Sequence, residues 1–255
     1  MQGIRLRIVR SLKIRITNVY FFGGFMRKIK NLMKYFSKGE LILWCSSITF
    51  IIISFCIFDR ESYLTLIASL IGVTSLIFSA KGNPFGQFLM IIFSSFYGII
   101  SWGYAYYGEM ITYLGMTAPM AAFALVAWLK NPYNQNKSEV RVNRVKNKEI
   151  FFMLALTAII TFIFYFILRT FYTSNLILST LSVATSFIAV YLTFRRSAYF
   201  ALAYASNDVI LICLWIMATI EDISYLSVVI CFVMFLVNDI YGFYSWLKMG
   251  KRQAS

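Results

Sequence analysis

The sequence predicts an all-α polytopic membrane protein with about eight transmembrane helices, and three observations lead there. Apolar residues make up 60% and charged residues 13% of the 255, and mean hydropathy is +0.73; soluble domains average nearer half apolar and about a quarter charged. Eight apolar runs follow one another, each close to the length that crosses a hydrocarbon core of roughly 30 Å at about 1.5 Å per residue. Positive charge alternates sharply between the connections. Of the 24 Lys and Arg, only Arg60 and Arg169 fall on one side, so the other side reads as cytoplasmic, with both termini inside and an even number of spans.

Residues 1–40 form a basic segment with Lys and Arg set among Ile, Leu and Phe, such as Arg5, Arg7, Lys28 and Lys30. It suits a cytoplasmic stretch lying on anionic lipid. Met26 opens a compact basic leader of its own, so translation from Met1 and from Met26 both fit. No cleavable signal peptide is expected here, because this stretch has no long apolar run. The spans read as 41–58, 63–80, 84–107, 110–129, 150–168, 175–194, 198–220 and 224–247. Acidic turns (Asp59, Glu61, Glu109, Glu221, Asp222) mark the outer side. Lys81, the long loop from Lys130 to Lys148, Arg195-Arg196 and a tail at 248–255 mark the inner side.

An internal repeat organises six of these spans. At an offset of 113, Trp102 falls on Trp215, Glu109 on Asp222, and Lys81 one residue before Arg195-Arg196; after a short adjustment Trp128-Leu129-Lys130 falls on Trp246-Leu247-Lys248. Residues 63–129 and 175–247 therefore read as two three-helix repeats of the same orientation. A cytoplasmic loop and linker helix (130–174) join them, and 41–58 is an extra first helix. This is the parallel, SWEET-like three-plus-one-plus-three plan.

The last two spans each carry a polar pair near the middle, Asn207-Asp208 and Asn238-Asp239, and the short turn between them sets both pairs at one level of an antiparallel hairpin. Polar groups at mid-bilayer are expensive and usually face a pathway or cavity, although membrane bundles also use them as glue between helices. Asp208 and Trp215, like Asp239 and Trp246, stand seven apart on one helical stripe. The stripe through Asn238 runs on to Tyr241, Gly242 and Ser245. Amides, carboxylates and aromatic rings together suit a flat, polar, aromatic small molecule, with a carboxylate to balance positive charge. In the first repeat Ser94 and Ser95 take the places of Asn207 and Asp208. Pro119 is expected to kink its helix, and Gly86, Gln87, Gly103 and Gly115 suit close packing or ligand contact. Trp102 and Trp215 fit either the cavity or the interfacial belt.

Other classes lose ground on the same residues. The chain has no His and no GxxxxGK[ST] or HExxH motif. Its four Cys lie singly within apolar runs, and Asp208 and Asp239 lack the Gly-rich setting of an intramembrane aspartyl protease. No enzyme, cofactor or metal site is expected. The +14 charge belongs to the cytoplasmic face and calls for the lipid bilayer as a partner, with no nucleic acid. A membrane sensor or receptor subunit is the reading from another class, and it would need a signalling domain.

Two stretches carry a family resemblance. FLVNDIYGFYSWLK (235–248) resembles the Asn-x-Ile-Tyr-Gly-aromatic-x-x-Trp element of the PnuC vitamin transporters, and YFALAYASNDVILICLW (199–215) resembles their aromatic-rich helix with a mid-membrane Asn. KGNPFGQ (81–87), YGEMITYLGMTAPM (107–120) and WLKN (128–131) are similar to the first-repeat counterparts. The resemblance covers about residues 41–250. It implies uptake of nicotinamide riboside by facilitated diffusion in a bacterial cell membrane, trapping by a cytoplasmic kinase, and a homotrimer. It places substrate binding at Asn207, Trp215, Asn238, Tyr241 and Trp246, with Gln87 and Trp102 beside them. Where other branches repeat the Tyr-Gly element, this first repeat reads AFALVAWLKN. Thiamine, riboflavin and deoxynucleosides therefore stay open as substrates. So does a cation-coupled carrier using Asp208 or Asp239.

Overall fold

A computed structural model describes residues 34–103, 107–173 and 175–255. The basic segment up to Met33, with the alternative start at Met26, lies outside the described residues. Helix α1 is Lys38–Phe58. It starts with a reciprocal cap, in which the Ser37 amide donates to Glu40 Oε2 at 2.6 Å and the Glu40 amide donates to Ser37 Oγ at 3.3 Å, satisfying two donors that a helix start leaves open.

From Trp44 onward the chain is almost entirely helical. Helices α2 (Tyr63–Ala80) and α3 (Pro84–Gly103) are followed by a third span in three pieces: α4 (Tyr107–Ile111), a π-helical turn (Thr112–Thr117) and α5 (Ala118–Leu129). Then come α6 (Asn147–Thr170), α7 (Leu176–Phe194), α8 (Tyr199–Glu221), a short 3-10 turn (Ile223–Tyr225) and α9 (Leu226–Ala254). Among the described residues, 8 helical stretches are long and apolar enough to span a membrane. The last helix continues well past the expected end of its apolar run and carries Lys248, Lys251 and Arg252 of the 248–255 tail as helix.

Six spans pack in a closed circuit: α2 on α3, α3 on α5, α5 on α7, α7 on α8, α8 on α9, and α9 back on α2. Helix α6 packs on α7 outside this circuit and presents Phe151, Phe162 and Ile159 outward, as lipid-facing residues do. Hydrogen bonds tie α1 on, among them Trp44 Nε1 to Thr74 Oγ1 at 3.2 Å and Asn238 Nδ2 to Ser47 Oγ at 2.9 Å. Close approach of α2 and α3 depends on Gly86, where a Cβ would lie 2.4 Å from Ser79 Oγ and 2.7 Å from Ser79 N.

The C-terminal ends of α2 and α7 finish identically. In α2 the amides of Gly82 and Asn83 donate to Ser79 O and Phe78 O at 2.9 and 3.1 Å; in α7 those of Arg196 and Ser197 donate to Thr193 O and Leu192 O at 3.0 and 3.0 Å. Gly82 (φ 66°) and Arg196 (φ 57°) both sit in the left-handed region that ends helices this way. Trp246 Nε1 donates to Ser79 O at 2.8 Å, and Trp128 Nε1 donates to Thr193 O at 2.9 Å. Trp246 on α9 thus clasps α2, and Trp128 on α5 clasps α7. The two indoles meet at 5.2 Å between ring centres, with Phe200 against Trp246 at 4.9 Å.

The 130–148 connection is also more ordered than its composition suggests. It folds a hairpin, β1 (Pro132–Tyr133) with β2 (Asn136–Val140). Its exit strand bridges both turns: the Val140 amide donates to Gly82 O and the Asn143 amide to Arg196 O, each at 2.9 Å. Gln253 Oε1 accepts from the Val142 amide at 2.8 Å, and Arg252 pairs with Glu139. Arg195 forks onto Glu149 of α6, which holds the guanidinium pKa above its usual range.

Candidate functional site

The circuit of six helices encloses a cavity of about 710 Å³, within the range that holds a drug-sized ligand. It reaches from Asp208 and Asp239 to the Glu221-Asp222 turn and the 171–173 turn. At the other end, the Trp128–Trp246–Phe200 cluster fills the space between the helices. Of the residues the sequence singles out, four line the cavity: Asn207, Asp208 and Trp215 on α8, and Asp239 on α9. The antiparallel hairpin of α8 and α9 brings Asp208 and Asp239 to the same cavity.

Asn207 is held by α7. Thr185 Oγ1 and Ser186 Oγ both donate to its Oδ1, at 2.9 and 3.0 Å, which fixes the amide in one orientation at the wall. Trp215 packs against Tyr225 at 5.4 Å, and both rings also border a second cavity of about 500 Å³ toward the 59–62 turn. Trp215 thus stands between the two cavities.

The other expected site residues lie elsewhere. Asn238 is only 1% exposed, and its Nδ2 is used up on Ser47 Oγ and Met234 O, at 2.9 and 2.8 Å. The turn of α9 that aims Asp239 at the cavity aims Asn238 at α1. Trp246 is fully buried in the clasp just described, because seven residues on from Asp239 the stripe has left the cavity and reached the helix ends. Tyr241 is half-buried and does not line the cavity. Gln87 is buried between α2 and α3, its Nε2 donating to Ser79 Oγ at 3.2 Å. Trp102 is 66% exposed near the C-terminal end of α3 and does not line the cavity.

Several lining residues carry no obvious signal in the sequence. Tyr204 precedes Asp208 by one helical turn, so the stripe through Asp208 and Trp215 extends back to it. Tyr113 and Thr117 reach the wall through the π-helical turn. Pro119 has no N–H for the carbonyl four residues back. The strain expected there as a kink is taken up as a wider turn, in which Ala118 N donates to Tyr113 O, and such turns are frequent at functional places. Phe93 and Phe235 complete an aromatic wall, 5.8 Å apart. Five carboxyl groups border the space (Glu109, Asp208, Glu221, Asp222 and Asp239), and no Lys or Arg does so among the described residues.

A helical, multi-span protein closed around an aromatic, acidic cavity has the build of a membrane carrier. Comparison with known proteins bears this out: the nicotinamide mononucleotide transporter family model matches residues 62–248, and the chain belongs to that family of membrane transporters. Among curated relatives, the nicotinamide riboside transporter PnuC of Neisseria mucosa is 24% identical over 203 residues, covering 78% of this chain and 77% of that one. Its namesake from Haemophilus influenzae is 25% identical over 193 residues, covering 75% and 82%. A crystal structure described as the vitamin B3 transporter PnuC superposes with a TM-score of 0.73 at 21% identity, covering 86% of this chain and 94% of that chain.

Proposed function

We propose that this protein carries nicotinamide riboside across the bacterial cell membrane by facilitated diffusion. The observation that carries the reading is the cavity wall: an oriented amide at Asn207, aromatic rings at Trp215, Tyr113, Phe93 and Phe235, and five carboxyl groups with no Lys or Arg beside them among the described residues. Rings stack on a pyridinium, the amide serves a carboxamide or ribose hydroxyl, and the acidic lining repels the phosphate of a mononucleotide. The relatives named for the riboside and the family named for the mononucleotide differ on this point, and the charge of the wall favours the riboside.

The matched helix ends at Ser79 and Thr193, with their crossed Trp128 and Trp246 bonds, support two parallel three-helix repeats around the cavity. Their equivalence at this place is an offset of 114, one more than the Trp102–Trp215 pairing gives. In this reading the repeats (63–129 and 175–247) rock about the cavity. The Trp clasp closes the cytoplasmic side while the end near Glu221-Asp222 admits substrate from outside. The basic face, with both termini, is cytoplasmic. A cytoplasmic kinase traps the product, and the carrier assembles as a homotrimer.

The test is uptake into proteoliposomes of labelled nicotinamide riboside, its mononucleotide, thiamine and deoxyadenosine. Saturable equilibration of the riboside alone, unchanged by an uncoupler, is the expected result. Transport of the mononucleotide would overturn the assignment, and loss of uptake with the uncoupler would replace facilitated diffusion by cation coupling.

A further inference from the structure

We infer that the stretch Glu139–Asn143 is a strap that locks the Trp clasp end of the bundle, and that this end opens only when the strap lifts off. This rests on the rocking reading above and adds the part that must let go. The strap is rooted in α5. Where that helix ends, Asn131 Nδ2 donates to Ala127 O at 2.7 Å, and the Arg141 amide donates to Asn131 O at 2.9 Å. Between these points the hairpin turns in two residues, Asn134 (φ 45°) and Gln135 (φ 62°). Both are left-handed, as in the two-residue turns whose twist matches that of the strands they join. The arm thus holds its shape by its own bonds.

Its exit strand then holds a turn of each repeat. The Val140 amide bonds Gly82 O after α2, the Asn143 amide bonds Arg196 O after α7, and Asn143 Nδ2 donates to Arg195 O at 3.1 Å. The two amides stand three residues apart, a reach of at most about 10 Å in fully extended chain. While both bonds hold, that short length limits how far the two turns can part.

A third attachment is to the end of α9, where Gln253 takes the place of a neighbouring strand. Its Oε1 accepts from the Val142 amide at 2.8 Å, and its Nε2 donates to Val140 O at 3.1 Å and to Glu139 Oε1 at 2.8 Å. Arg252 pairs with the same carboxylate. The Val140 side chain is fully buried in the cluster that holds Trp128 and Trp246. At Gly82 it meets α9: a Cβ there would lie 3.2 Å from Met249 Cε and 3.3 Å from Val140 Cγ1. One buried side chain and a short run of hydrogen bonds therefore seal the clasp and join the pieces that rocking separates. Such bonds are modest singly, because water replaces them when they break, so the strap lifts and reseats within a transport cycle.

The experiment follows maleimide labelling of single introduced cysteines in the whole protein, held in lipid nanodiscs so that both ends meet water, with the native Cys replaced by Ser. Ala124→Cys reports the clasp end, since Ala124 is 1% exposed in the cluster under the strap. Ser182→Cys reports the cavity. Labelling is read by mass spectrometry on the peptide that carries position 124 or 182. Gln253→Ala removes three of the strap's bonds, and it is expected to speed labelling at position 124 roughly fivefold or more and to slow it at position 182. Loosened packing would speed both, and a strap with no part in gating would change neither; either result overturns the proposal. A Cβ on Gly250 would lie 3.5 Å from Val142 Cγ1, so Val142→Cys with Gly250→Cys closes a disulfide that holds the strap down. Labelling at position 124 is then expected to fall roughly fivefold or more and to recover on reduction. A cross-linked protein that labels there as fast as the reduced one overturns the proposal, and this arm decides by itself if Gln253→Ala does not fold. Strap-dependent labelling in a protein that takes up no riboside would sink the riboside reading and leave the strap standing.

Discussion

Replacing Trp246 by Phe separates a structural tryptophan from a ligand-binding one. Its indole N–H donates to Ser79 O at 2.8 Å, and that carbonyl keeps a second donor, the Gly82 amide, at 2.9 Å. The substitution therefore removes one hydrogen bond and strands no acceptor, which costs about 1 kcal/mol instead of the ~3 kcal/mol of a buried orphan. Trp128 is in the same position: Thr193 O keeps the Arg196 amide at 3.0 Å. Trp246→Phe and Trp128→Phe should then lower thermal stability in detergent by matching amounts, about 2–4 °C for each kcal/mol in a chain of this size. Trp→Ala at either place, both fully buried, should cost about 3–5 kcal/mol. Riboside binding should respond alike to the two Phe variants. A Trp246→Phe protein with wild-type stability and weakened binding, beside an unaffected Trp128→Phe protein, would refute the clasp and return Trp246 to the ligand.

Asn238→Ala should cost about 1–2 kcal/mol of stability by cutting α9 from Ser47, with the folded fraction binding the riboside as wild type does; thermal scanning and titration check both. Gly86→Ala forces a Cβ against Ser79 N and Ser75 O, at 2.7 and 2.8 Å, and should destabilise by about 1–3 kcal/mol, visible as a lower melting point and poorer yield. The pair Thr185→Val and Ser186→Ala leaves Asn207 present but unfixed. It should weaken binding roughly threefold to tenfold at little cost in stability, as single hydrogen bonds of about 1 kcal/mol imply.

The spans were legible in the sequence because apolar length is a property of the chain itself, and the structure has eight such helices among the described residues. The hairpin that levels Asp208 with Asp239 was legible too, since a turn as short as Glu221-Asp222 leaves no other geometry. Which of two adjacent polar residues faces the cavity was not. Asn207 and Asp208 both reach it, whereas Asn238 turns toward α1 beside an inward Asp239, and that choice depends on an α1 contact no local pattern encodes. Trp246 lies off the cavity for a related reason. Seven residues is nearly two full turns, so the stripe keeps its angle, but the helix has by then passed the end of the cavity. The lock on Asn207 from Thr185 and Ser186, and the entry of Tyr113 through the π-helical turn, arise between helices and show only once these are packed.

The most direct test of the central claim is equilibration of labelled nicotinamide riboside into sealed proteoliposomes, wild type beside Asn207→Ala at equal reconstituted protein. The account predicts saturable entry that stops at the external concentration, and a loss of at least tenfold in apparent affinity when the amide is removed. Entry with the same affinity in the variant would contradict the site, and no entry in wild type would contradict the function.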